Sequence, residues 1–347
     1  MCPSFYPEYA IHRPKPMLVK TLHGSQDIRA IWMETGVVKA IDQRILPGRF
    51  EIIEISTVDG LAEAISNMTI RGAPSIGAAA AYGMALAALR GGNLEEAAEM
   101  IRATRPTAHD LFYAVDLMLS ERERLPGFAE EYADSIVTKC RSIGEIGQGL
   151  IDDGSKLLTH CNAGALATVD FGTALAPMRV ARRAGKRFFV YVDETRPRLQ
   201  GAKLTAWELL NEGIDHAIIV DNASGHYLKE DVDVVIVGAD RIARNGDFAN
   251  KVGTYEKAVL AKENGVPFYV AAPISTFDSV LLSGDDIVIE QRSPDEVLTV
   301  DGVRIAPEGS NALNPAFDIT PARYVTGFVT EAGILKPDEL SRLLGAQ

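Results

Sequence analysis

The sequence predicts an α/β protein in which a small N-terminal β-meander and a set of helices precede a doubly wound, mostly parallel sheet. From Lys156 onward, short apolar β-branched runs alternate with helical patterns, an order typical of parallel sheets. Residues 234–237 are apolar throughout, as a strand buried on both faces requires. We expect an N-terminal extension at 1–16, a β/helical domain at 17–150 and a catalytic domain at 151–347.

The first of these domains is predicted to change from strands to helices near residue 58. Short alternating stretches with turn signals at 34–36 and 46–48 predict a β-meander over 17–57. Apolar periodicity then predicts helices at 73–90, 94–103, 108–123 and 128–152.

The second domain is predicted as strands and helices in alternation. The expected strands are 157–160, 187–192, 217–221, 234–237 and 267–271. The expected helices are 164–184, 199–212 and 254–263. A final helix is predicted with Thr320 as N-cap, Pro321 at its first position and Gly333 just past its end.

Composition and charge argue against several classes of protein. Hydrophobic residues make up 47% and charged residues 24%, values ordinary for a globular protein. No apolar run reaches the length of about 18 residues that a membrane span needs, and the start lacks the apolar region of a secretory signal. The net charge of −12 argues against general nucleic-acid binding. A site for a phosphorylated substrate must therefore be made positive locally.

Cysteine and histidine usage argues against disulfides and metal catalysis. Cys2, Cys140 and Cys161 are odd in number and far apart, which favours a reducing, cytoplasmic setting. The six histidines form no HxxxH pair, so no metal site is expected. The chain also lacks a GxGxxG motif and a Walker A motif, so no nucleotide cofactor is expected, and no GxSxG nucleophile elbow is present.

Asp240 and Cys161 are the candidate catalytic residues. Each follows a central strand of the predicted sheet, and ligands bind at the carboxyl ends of such strands. A partly buried Asp240 would have a raised pKa and could donate a proton, although a helix cap or a surface acid is the alternative. Cys161 at a helix N-terminus would have a lowered pKa, although a buried apolar cysteine is the alternative. Asn250 and Lys251, a loop away from Asp240, suggest an anionic ligand.

Residues 68–83 form a second candidate site. Gly72 permits close backbone approach, Pro74 suits a first helical turn, and a helix N-terminus beside Arg71 makes a phosphate cradle. The alternative is an ordinary packing helix of small residues with a surface arginine. Further hydrogen bonds to phosphate or sugar oxygens could come from Arg105, Arg196, Arg198 and Gln200, each of which could instead be a solvated surface residue.

Taken together, these segments resemble the methylthioribose-1-phosphate isomerase family. The resemblance covers residues 19–333 and is carried by TIRGAPSIGAAAAYG, RPTA, LTHCNAGALATVDFGTAL, VDETRPRLQGAKLTAWEL, VIVGADRIARNGDFANKVGTY, VPFYVAAPISTFD and NPAFDITPA. It implies conversion of 5-methylthioribose 1-phosphate to 5-methylthioribulose 1-phosphate in methionine salvage. It also implies a Rossmann-like C-terminal domain, a homodimer and no cofactor.

The resemblance also assigns roles to residues. It implies that Asp240 is the proton donor and that Cys161 is the second catalytic residue. Substrate contacts would fall on Arg71, Gly72, Ala73, Arg105, Gln200, Asn250 and Lys251. Because the C1 phosphate blocks spontaneous ring opening, the enzyme must protonate the ring oxygen. Cys161 could be a thiolate base in a phosphoenolate route or a polarising group beside a hydride shift.

Three features depart from the family pattern, and two other functions stay open. Ala223-Ser224-Gly225 replaces the usual Met-Ala after Asp221-Asn222, His109 replaces an apolar residue, and an extension precedes Met17. The changed 223–225 segment leaves the sugar's 5-substituent open, so 5-deoxyribose 1-phosphate and ribose 1,5-bisphosphate are alternative substrates. The same fold group includes non-catalytic regulatory subunits of the translation-initiation guanine-nucleotide exchange factor. Retention of Cys161, Asp240 and Lys251 argues against that role.

Overall fold

The structure is a computed structural model that describes residues 15–21 and 24–340. Most of the predicted N-terminal extension, residues 1–14, lies outside the described residues. The helices are α1 (Val58–Ser66), α2 (Ala73–Leu89), α3 (Leu94–Thr104), α4 (His109–Ser120), α5 (Gly127–Gly147), α6 (Leu175–Arg183), α7 (Ala206–Glu212), α8 (Ser224–Glu230), α9 (Thr254–Glu263) and α10 (Asp295–Leu298).

The strands divide into an N-terminal group and a group that follows α5. The N-terminal strands are β1 (Met17–Thr21), β2 (Gly24–Ile28), β3 (Ile31–Glu34), β4 (Val37–Ile41) and β5 (Ile52–Ile55). The later strands are β6 (Lys156–Thr159), β7 (Phe189–Asp193), β8 (Asp215–Ile219), β9 (Val234–Val237), β10 (Arg241–Ala243), β11 (Phe248–Lys251), β12 (Phe268–Ala271), β13 (Phe277–Asp278), β14 (Thr299–Val300), β15 (Val303–Arg304), β16 (Phe317–Thr320), β17 (Gly327–Thr330) and β18 (Gly333–Leu335).

The main sheet has the order of a Rossmann fold, which confirms the predicted class. Within the described residues its strands run β18-β17-β12-β9-β6-β7-β8, and all neighbours are parallel except the edge pair β17 and β18. The chain builds outward from β6 in one direction and from β9 in the other. The strand order therefore reverses between β6 and β9, the position where ligands bind in such sheets.

A second, smaller sheet follows the switch point and places the end of β9 beside β11. Its order is β13-β10-β11-β16, and β10 pairs with β11 in antiparallel register, Arg241 opposite Ala249. The backbone N–H of Asp240 donates to the carbonyl of Ala249 at 2.9 Å. This hydrogen bond places Asp240 beside the last residues of β11, which are Asn250 and Lys251.

The N-terminal part confirms the predicted helices and most of the predicted meander, with one departure in the first two strands. β3, β4 and β5 form an antiparallel meander, and α2 to α5 begin and end within a few residues of the predicted bounds. The hairpin β1–β2, predicted as part of the meander, forms its own two-stranded sheet. Met17 and Val19 pack there against Leu166 and Leu204 of the second part of the chain. The predicted boundary at residue 150 stays a prediction.

The single helix predicted over 164–184 is wrong in its first half. A short 3₁₀ turn at Ala165–Ala167 is followed by an irregular stretch, and the α-helix begins only at Leu175. Phe171 and Gly172 have φ values of 65° and 85°, which a right-handed helix cannot contain. The buried carboxylate of Asp170 holds this turn by accepting the Phe171 N–H at 2.7 Å.

The capped helix predicted after Thr320 is also wrong. Thr320 ends β16, opposite Phe248 of β11, and residues 327–330 form β17 beside β12. All four residues of β17 are buried. Thr and Pro suit an extended segment as well as a helix start. Here pairing with β11 places Thr320 in a strand, and pairing with β12 makes residues 327–330 a second strand.

The apolar core of the helical part surrounds α2, whereas the cores of the second part cover both faces of the main sheet. α2 is apolar on every side, and thirteen of its residues are buried, from Ser75 to Ala87. Such a helix can only lie in the interior. Within the described residues, no helix combines the length and the apolarity that crossing a bilayer would require.

Candidate active site

One cavity opens at the switch point between β6 and β9 and extends to the start of α2. The structure brings all nine site residues expected from the sequence to its wall: Arg71, Gly72, Ala73, Arg105, Cys161, Gln200, Asp240, Asn250 and Lys251. Arg198 lines the cavity as well, but Arg196 does not. Arg196 instead donates to the carbonyls of Pro197 and Val297 at 2.9 and 2.8 Å.

Cys161 stands in a fixed turn after β6. Its backbone N–H donates to Thr195 Oγ1 at 2.9 Å, and its carbonyl accepts from Thr205 Oγ1 at 2.6 Å. Its φ is 63°, a strained value for a side chain other than glycine. The expected helix N-terminus is absent at this position, because α6 begins only at Leu175. Burial raises the pKa of the Cys161 thiol, and nearby Arg71 and Lys251 offset that only in part, so the expected lowering is wrong.

Asp240 is neither a helix cap nor a fully exposed acid. It immediately precedes β10, and its carboxyl group has no hydrogen bond or ion pair among the described residues. Burial raises the pKa of Asp240, and the positive charges of Lys251, Arg71 and Arg105 lower it by less. A carboxyl group in this environment holds its proton above the usual range, which is the property required of a proton donor.

Two cations on the cavity wall are held by neutral oxygens. Arg71 donates to the side-chain oxygen of Asn162 at 2.6 Å and to its backbone carbonyl at 2.7 Å. Lys251 donates to the carbonyl of Ala316 at 2.7 Å, and its ammonium lies 4.6 Å from the centre of the Phe317 ring. Burial lowers the pKa of both cations, with Cys161 and Asp240 acting in the opposite direction.

The other cavity-lining cations of the described residues are paired with carboxylates. Arg105 contacts Glu290 at 2.9 Å, Arg198 contacts Glu296 at 2.8 Å, and Arg241 contacts Asp278. Arg292 joins the first two pairs by contacting Glu290 at 2.9 Å and Glu296 at 2.6 Å. This network draws the segment 290–296 onto the cavity.

The start of α2 has the geometry of an anion-binding turn. Gly72 has a φ of 94°, and a Cβ there would overlap Ala167, so only glycine fits. α2 is 17 residues long with no side-chain cap at Gly72, which leaves the first N–H groups and the positive end of the helix dipole facing the cavity. The structure therefore supports the cradle predicted at residues 71–73.

Buried amide and imidazole groups on the wall lack partners. The Gln200 side-chain oxygen is buried without a hydrogen bond, and so is His109 Nδ1. The His109 ring nitrogens lie 3.7 Å from Asp110 and 3.6 Å from Asp278, beyond hydrogen-bond distance. Unpaired buried polar atoms on a cavity wall are ready to receive a polar ligand.

Several site residues were missed by the sequence interpretation. Asn162 was seen only as a turn former, and its role in holding Arg71 could have been inferred from its position beside Cys161. The Glu290–Arg292–Glu296 network has no local pattern, since its partners lie about 100 to 185 residues away in sequence. The changed segment 223–225 does not line the cavity. Ser224 is buried and donates instead to Asp193 at 2.7 Å.

His160, Asp193 and Asp221 are close enough together to suggest a metal centre, but their polar atoms are already used. His160 contacts Asp193 at 2.8 Å through Nδ1 and donates to the carbonyl of Val252 at 2.9 Å through Nε2. Asp221 accepts the backbone N–H groups of Thr195 and Arg196, each at 2.7 Å. The donor set therefore acts as a scaffold beneath Cys161.

Comparison with known proteins places this chain in a family. The model of the Initiation factor 2 subunit family matches residues 69–337. The methylthioribose-1-phosphate isomerase of Acetivibrio thermocellus is 49% identical over 324 residues, which cover 87% of this chain and 95% of that protein. The chain belongs to the methylthioribose-1-phosphate isomerase family.

Two solved structures extend the comparison to the fold. The crystal structure of 5-methylthioribose 1-phosphate isomerase from Pyrococcus horikoshii OT3 superposes with a TM-score of 0.85 at 43% identity, covering 92% of this chain and 96% of that one. A structure described as translation initiation factor eIF-2B, subunit delta, from A. fulgidus gives a TM-score of 0.82 at 41% identity, covering 92% and 100%. Proteins described as isomerases and as initiation-factor subunits therefore share this architecture, so the fold alone does not distinguish the two functions and the site residues must do so.

Proposed function

We propose that the protein is an aldose–ketose isomerase that converts 5-methylthio-α-D-ribose 1-phosphate to 5-methylthio-D-ribulose 1-phosphate in methionine salvage. The observation that carries the proposal is the meeting of Asp240 and Cys161 on one cavity wall. Beside them lie Arg71 and Lys251, which are hydrogen-bonded to neutral oxygens rather than to carboxylates. An acid that keeps its proton, a thiol and an anion site are what this isomerisation needs, and no cofactor is required.

In the proposed mechanism Asp240 begins the reaction. It gives its proton to the ring oxygen, and the bond from that oxygen to C1 breaks. The hydrogen on C2 then moves to C1 with its electron pair, while the C2 hydroxyl proton returns to the Asp240 carboxylate, giving the ketose without any net change in composition. Arg71, Lys251 and the N–H groups of α2 hold the C1 phosphate in place, and enclosure strengthens these interactions.

Cys161 fits the role of a group that stabilises the transition state better than the role of a resting thiolate base. The base would remove a proton from C2 and return one at C1, whereas the hydride route transfers hydrogen directly. Burial raises the pKa of Cys161, and an arriving phosphate dianion would raise it further. This favours a neutral thiol beside a hydride shift.

The remaining expected contacts suit the sugar and the phosphate. We assign Gln200 and Asn250 to the sugar hydroxyls, because both are buried amides at the wall and the Gln200 oxygen lacks a partner. Arg105, Gly72 and Ala73 complete the phosphate site.

The lining favours an apolar 5-substituent over a second phosphate. The wall includes the apolar side chains of Met68, Ile76, Pro273, Ile287 and Val288. A methylthio group would bury apolar surface against them, whereas a 5-phosphate would lose hydration there without an added cation. A 5-deoxy sugar would fit the same surface, with less area buried.

A homodimer and a cytoplasmic location are further parts of the proposal. Large apolar side chains are exposed in the segment 280–313, as a surface covered by a second copy would be: Val280, Leu282, Val288, Val303, Ile305 and Leu313. Sedimentation of the purified protein as a monomer at micromolar concentration would contradict the dimer. Cys140 and Cys161 are free thiols, as a reducing compartment allows.

Turnover by the purified protein tests the function. We expect isomerisation of 5-methylthioribose 1-phosphate that is lost in Asp240→Asn and strongly reduced in Cys161→Ser, with unchanged melting temperatures. 5-Deoxyribose 1-phosphate and ribose 1,5-bisphosphate are compared by kcat/KM under the same conditions. A folded wild type inactive on all three substrates would reject an isomerase and favour the regulatory-subunit alternative.

A further inference from the structure

We propose that Glu208 is a positioning residue that holds Arg71 in the active site through the side-chain amide of Asn162. The inference rests on the proposed function, since it takes Arg71 as a substrate contact. Glu208 itself lies on α7, is 1% exposed and does not line the cavity.

The Glu208 carboxylate is surrounded by donors. Oε1 accepts the side-chain amide of Asn162 at 2.9 Å and the N–H of Leu166 at 3.2 Å. Oε2 accepts the N–H of Ala165 at 2.7 Å and a guanidinium N–H of Arg179 at 3.3 Å. A buried carboxylate is stable only when its lone pairs are used in this way.

This carboxylate decides which way the Asn162 amide points. An ionised carboxylate only accepts hydrogen bonds, so the NH₂ end of Asn162 must face it. The same NH₂ group also lies 3.1 Å from Thr205 Oγ1. The oxygen end is left facing Arg71, where it accepts at 2.6 Å while the Asn162 backbone carbonyl accepts at 2.7 Å. A reversed amide would set donor against donor at both ends.

Because Glu208 acts on Arg71 through Asn162, the positive charge of Arg71 stays available to bind a ligand. Arg71 touches only neutral oxygens of Asn162, and the negative charge of Glu208 is one residue further away beside Arg179. Asp170 and Glu212 surround the same Arg179 guanidinium at 3.6 and 2.9 Å. The carboxylate thus orients a cation without forming an ion pair with it.

The local backbone is shaped for this contact. Gly164 lies against Glu208 so closely that a Cβ there would overlap the carboxylate oxygens. The turn that carries Asn162 also carries Cys161, whose carbonyl is held by Thr205 one turn before Glu208. The same carboxylate therefore fixes the turn and the cation together.

A purely structural role for Glu208 predicts a different outcome from a positioning role. A structural anchor would lower the melting temperature and reduce activity by the same factor whatever residue stands at position 71. A positioning residue acts through Arg71, so its effect on catalysis must disappear when Arg71 is absent.

The test is a double-mutant cycle of Glu208→Gln and Arg71→Met, read as kcat/KM for 5-methylthioribose 1-phosphate. We expect Glu208→Gln to lower kcat/KM by roughly 10- to 100-fold in the wild type, as misplacement of a substrate contact does. In the Arg71→Met background the same change should cost less than about twofold. Equal losses in both backgrounds, or no loss in the wild type, would overturn the proposal.

Glu212→Gln is the matched control. Glu212 lies on the same helix and contacts Arg179 and Arg183, but not Asn162. We expect it to lower the melting temperature as Glu208→Gln does while leaving kcat/KM within about twofold of the wild type. A loss of kcat/KM equal to that of Glu208→Gln would show that the ion cluster as a whole matters and would reject the specific role of Glu208.

The isosteric swap of Glu208→Gln with Asn162→Asp keeps the test valid if the single variant does not fold. The new Gln amide can donate to the new Asp carboxylate, so the hydrogen bond is remade with reversed polarity. Arg71 then faces a carboxylate, and we expect a folded protein with kcat/KM lowered about tenfold or more. Wild-type kcat/KM in the swap would overturn the proposal.

Failure of the proposed function leaves a distinct result. If the wild type turns over no pentose phosphate, the same cycle is measured as binding of inorganic phosphate by calorimetry. The positioning role predicts weaker binding in Glu208→Gln only when Arg71 is present. Equal binding by the wild type and Glu208→Gln would reject it independently of the substrate.

Discussion

Arg71 and Arg105 reach the same cavity but are held in opposite ways. Arg71 is held by the neutral oxygens of Asn162, and the Glu208 carboxylate touches Asn162 rather than Arg71. Arg105 is paired directly with Glu290, which Arg292 shares. A guanidinium on neutral acceptors keeps its charge for a ligand, whereas one paired with a carboxylate gives part of that charge to the fold.

The difference suits two tasks in one site. The Arg105 network ties the helical part of the chain to the segment 290–296, across 185 residues of sequence. The Arg71 arrangement leaves a free positive charge beside Asp240 and Cys161, whose pKa values it influences. We therefore expect Arg71 to dominate anion binding and Arg105 to contribute chiefly to closure of the wall.

The largest expected effect is the loss of Arg71. Arg71→Met keeps an unbranched apolar stem but removes the guanidinium group, and we expect kcat/KM to fall by roughly 100-fold, the cost of a charge-assisted contact or two. Arg105→Met is the matched comparison, with an expected loss of roughly tenfold. Steady-state kinetics at fixed ionic strength measure both, and a greater loss for Arg105→Met would break the comparison.

A second experiment tests the cost of an uncompensated carboxylate. In Arg105→Met, Glu290 retains only Arg292 and turns negative charge toward the substrate phosphate. Adding Glu290→Gln should therefore restore kcat/KM by about threefold or more. Arg71 forms no ion pair with a carboxylate among the described residues, so Glu208→Gln should restore nothing to Arg71→Met. Recovery of kcat/KM in both double variants, or in neither, would contradict the distinction between the two arginines.

The pH dependence of activity should separate the two arginines in a further way. Burial raises the pKa of Asp240, while Arg71 lowers it more than Arg105 does. If protonated Asp240 is the acid, kcat/KM falls as pH rises through that pKa. Removal of Arg71 disfavours the carboxylate, so the alkaline limb should move to higher pH, and by more than in Arg105→Met. A shift to lower pH in Arg71→Met would refute this assignment.

The smallest effect concerns stability in acid. The pKa of Glu296 is lowered from 4.5 to about 2, because its hydrogen bonds to Arg292 and Arg198 outweigh the opposing cost of burial. A lowered folded-state pKa stabilises the protein above pH 4.5, and that contribution is lost as the pH falls toward 2. Glu296→Gln should therefore lose less melting temperature between pH 5 and pH 3, by on the order of 2 °C. Parallel curves of melting temperature against pH for the wild type and Glu296→Gln would contradict the prediction.

The repeating elements and the location of the site were accessible from sequence. The alternation after Lys156 predicted the order of strands, and Val234–Val237 forms a strand with the predicted bounds. Cys161 and Asp240 were each expected to follow a central strand, and the structure shows that these strands, β6 and β9, are neighbours at the switch point. The cradle at Arg71 and Gly72 was inferred from the glycine itself and from the helix start that follows it.

The sequence misled where a local pattern fits two conformations. Thr320 and Pro321 suit a helix start and also an extended segment, and only the pairing of Thr320 with Phe248 of β11 selects the extended form. The lowered pKa expected for Cys161 depended on a helix that the turn at Phe171 and Gly172 prevents. In the first case a contact distant in sequence overrode a local preference, and in the second a turn inside the predicted helix interrupted it.

By itself the sequence determined the class of fold, the strand that ends at the acid, and the residue types at the site. These follow from apolar periodicity and from the short-range chemistry of glycine, proline and helix ends, which act within a few residues. Only the tertiary structure decided that Arg71 is held by Asn162, which Glu208 orients, that Arg105 is paired with Glu290, and that desolvation raises the pKa of the Cys161 thiol. Charge pairing and desolvation depend on which groups meet in space, and the chain brings those groups together from positions 46 to 185 residues apart.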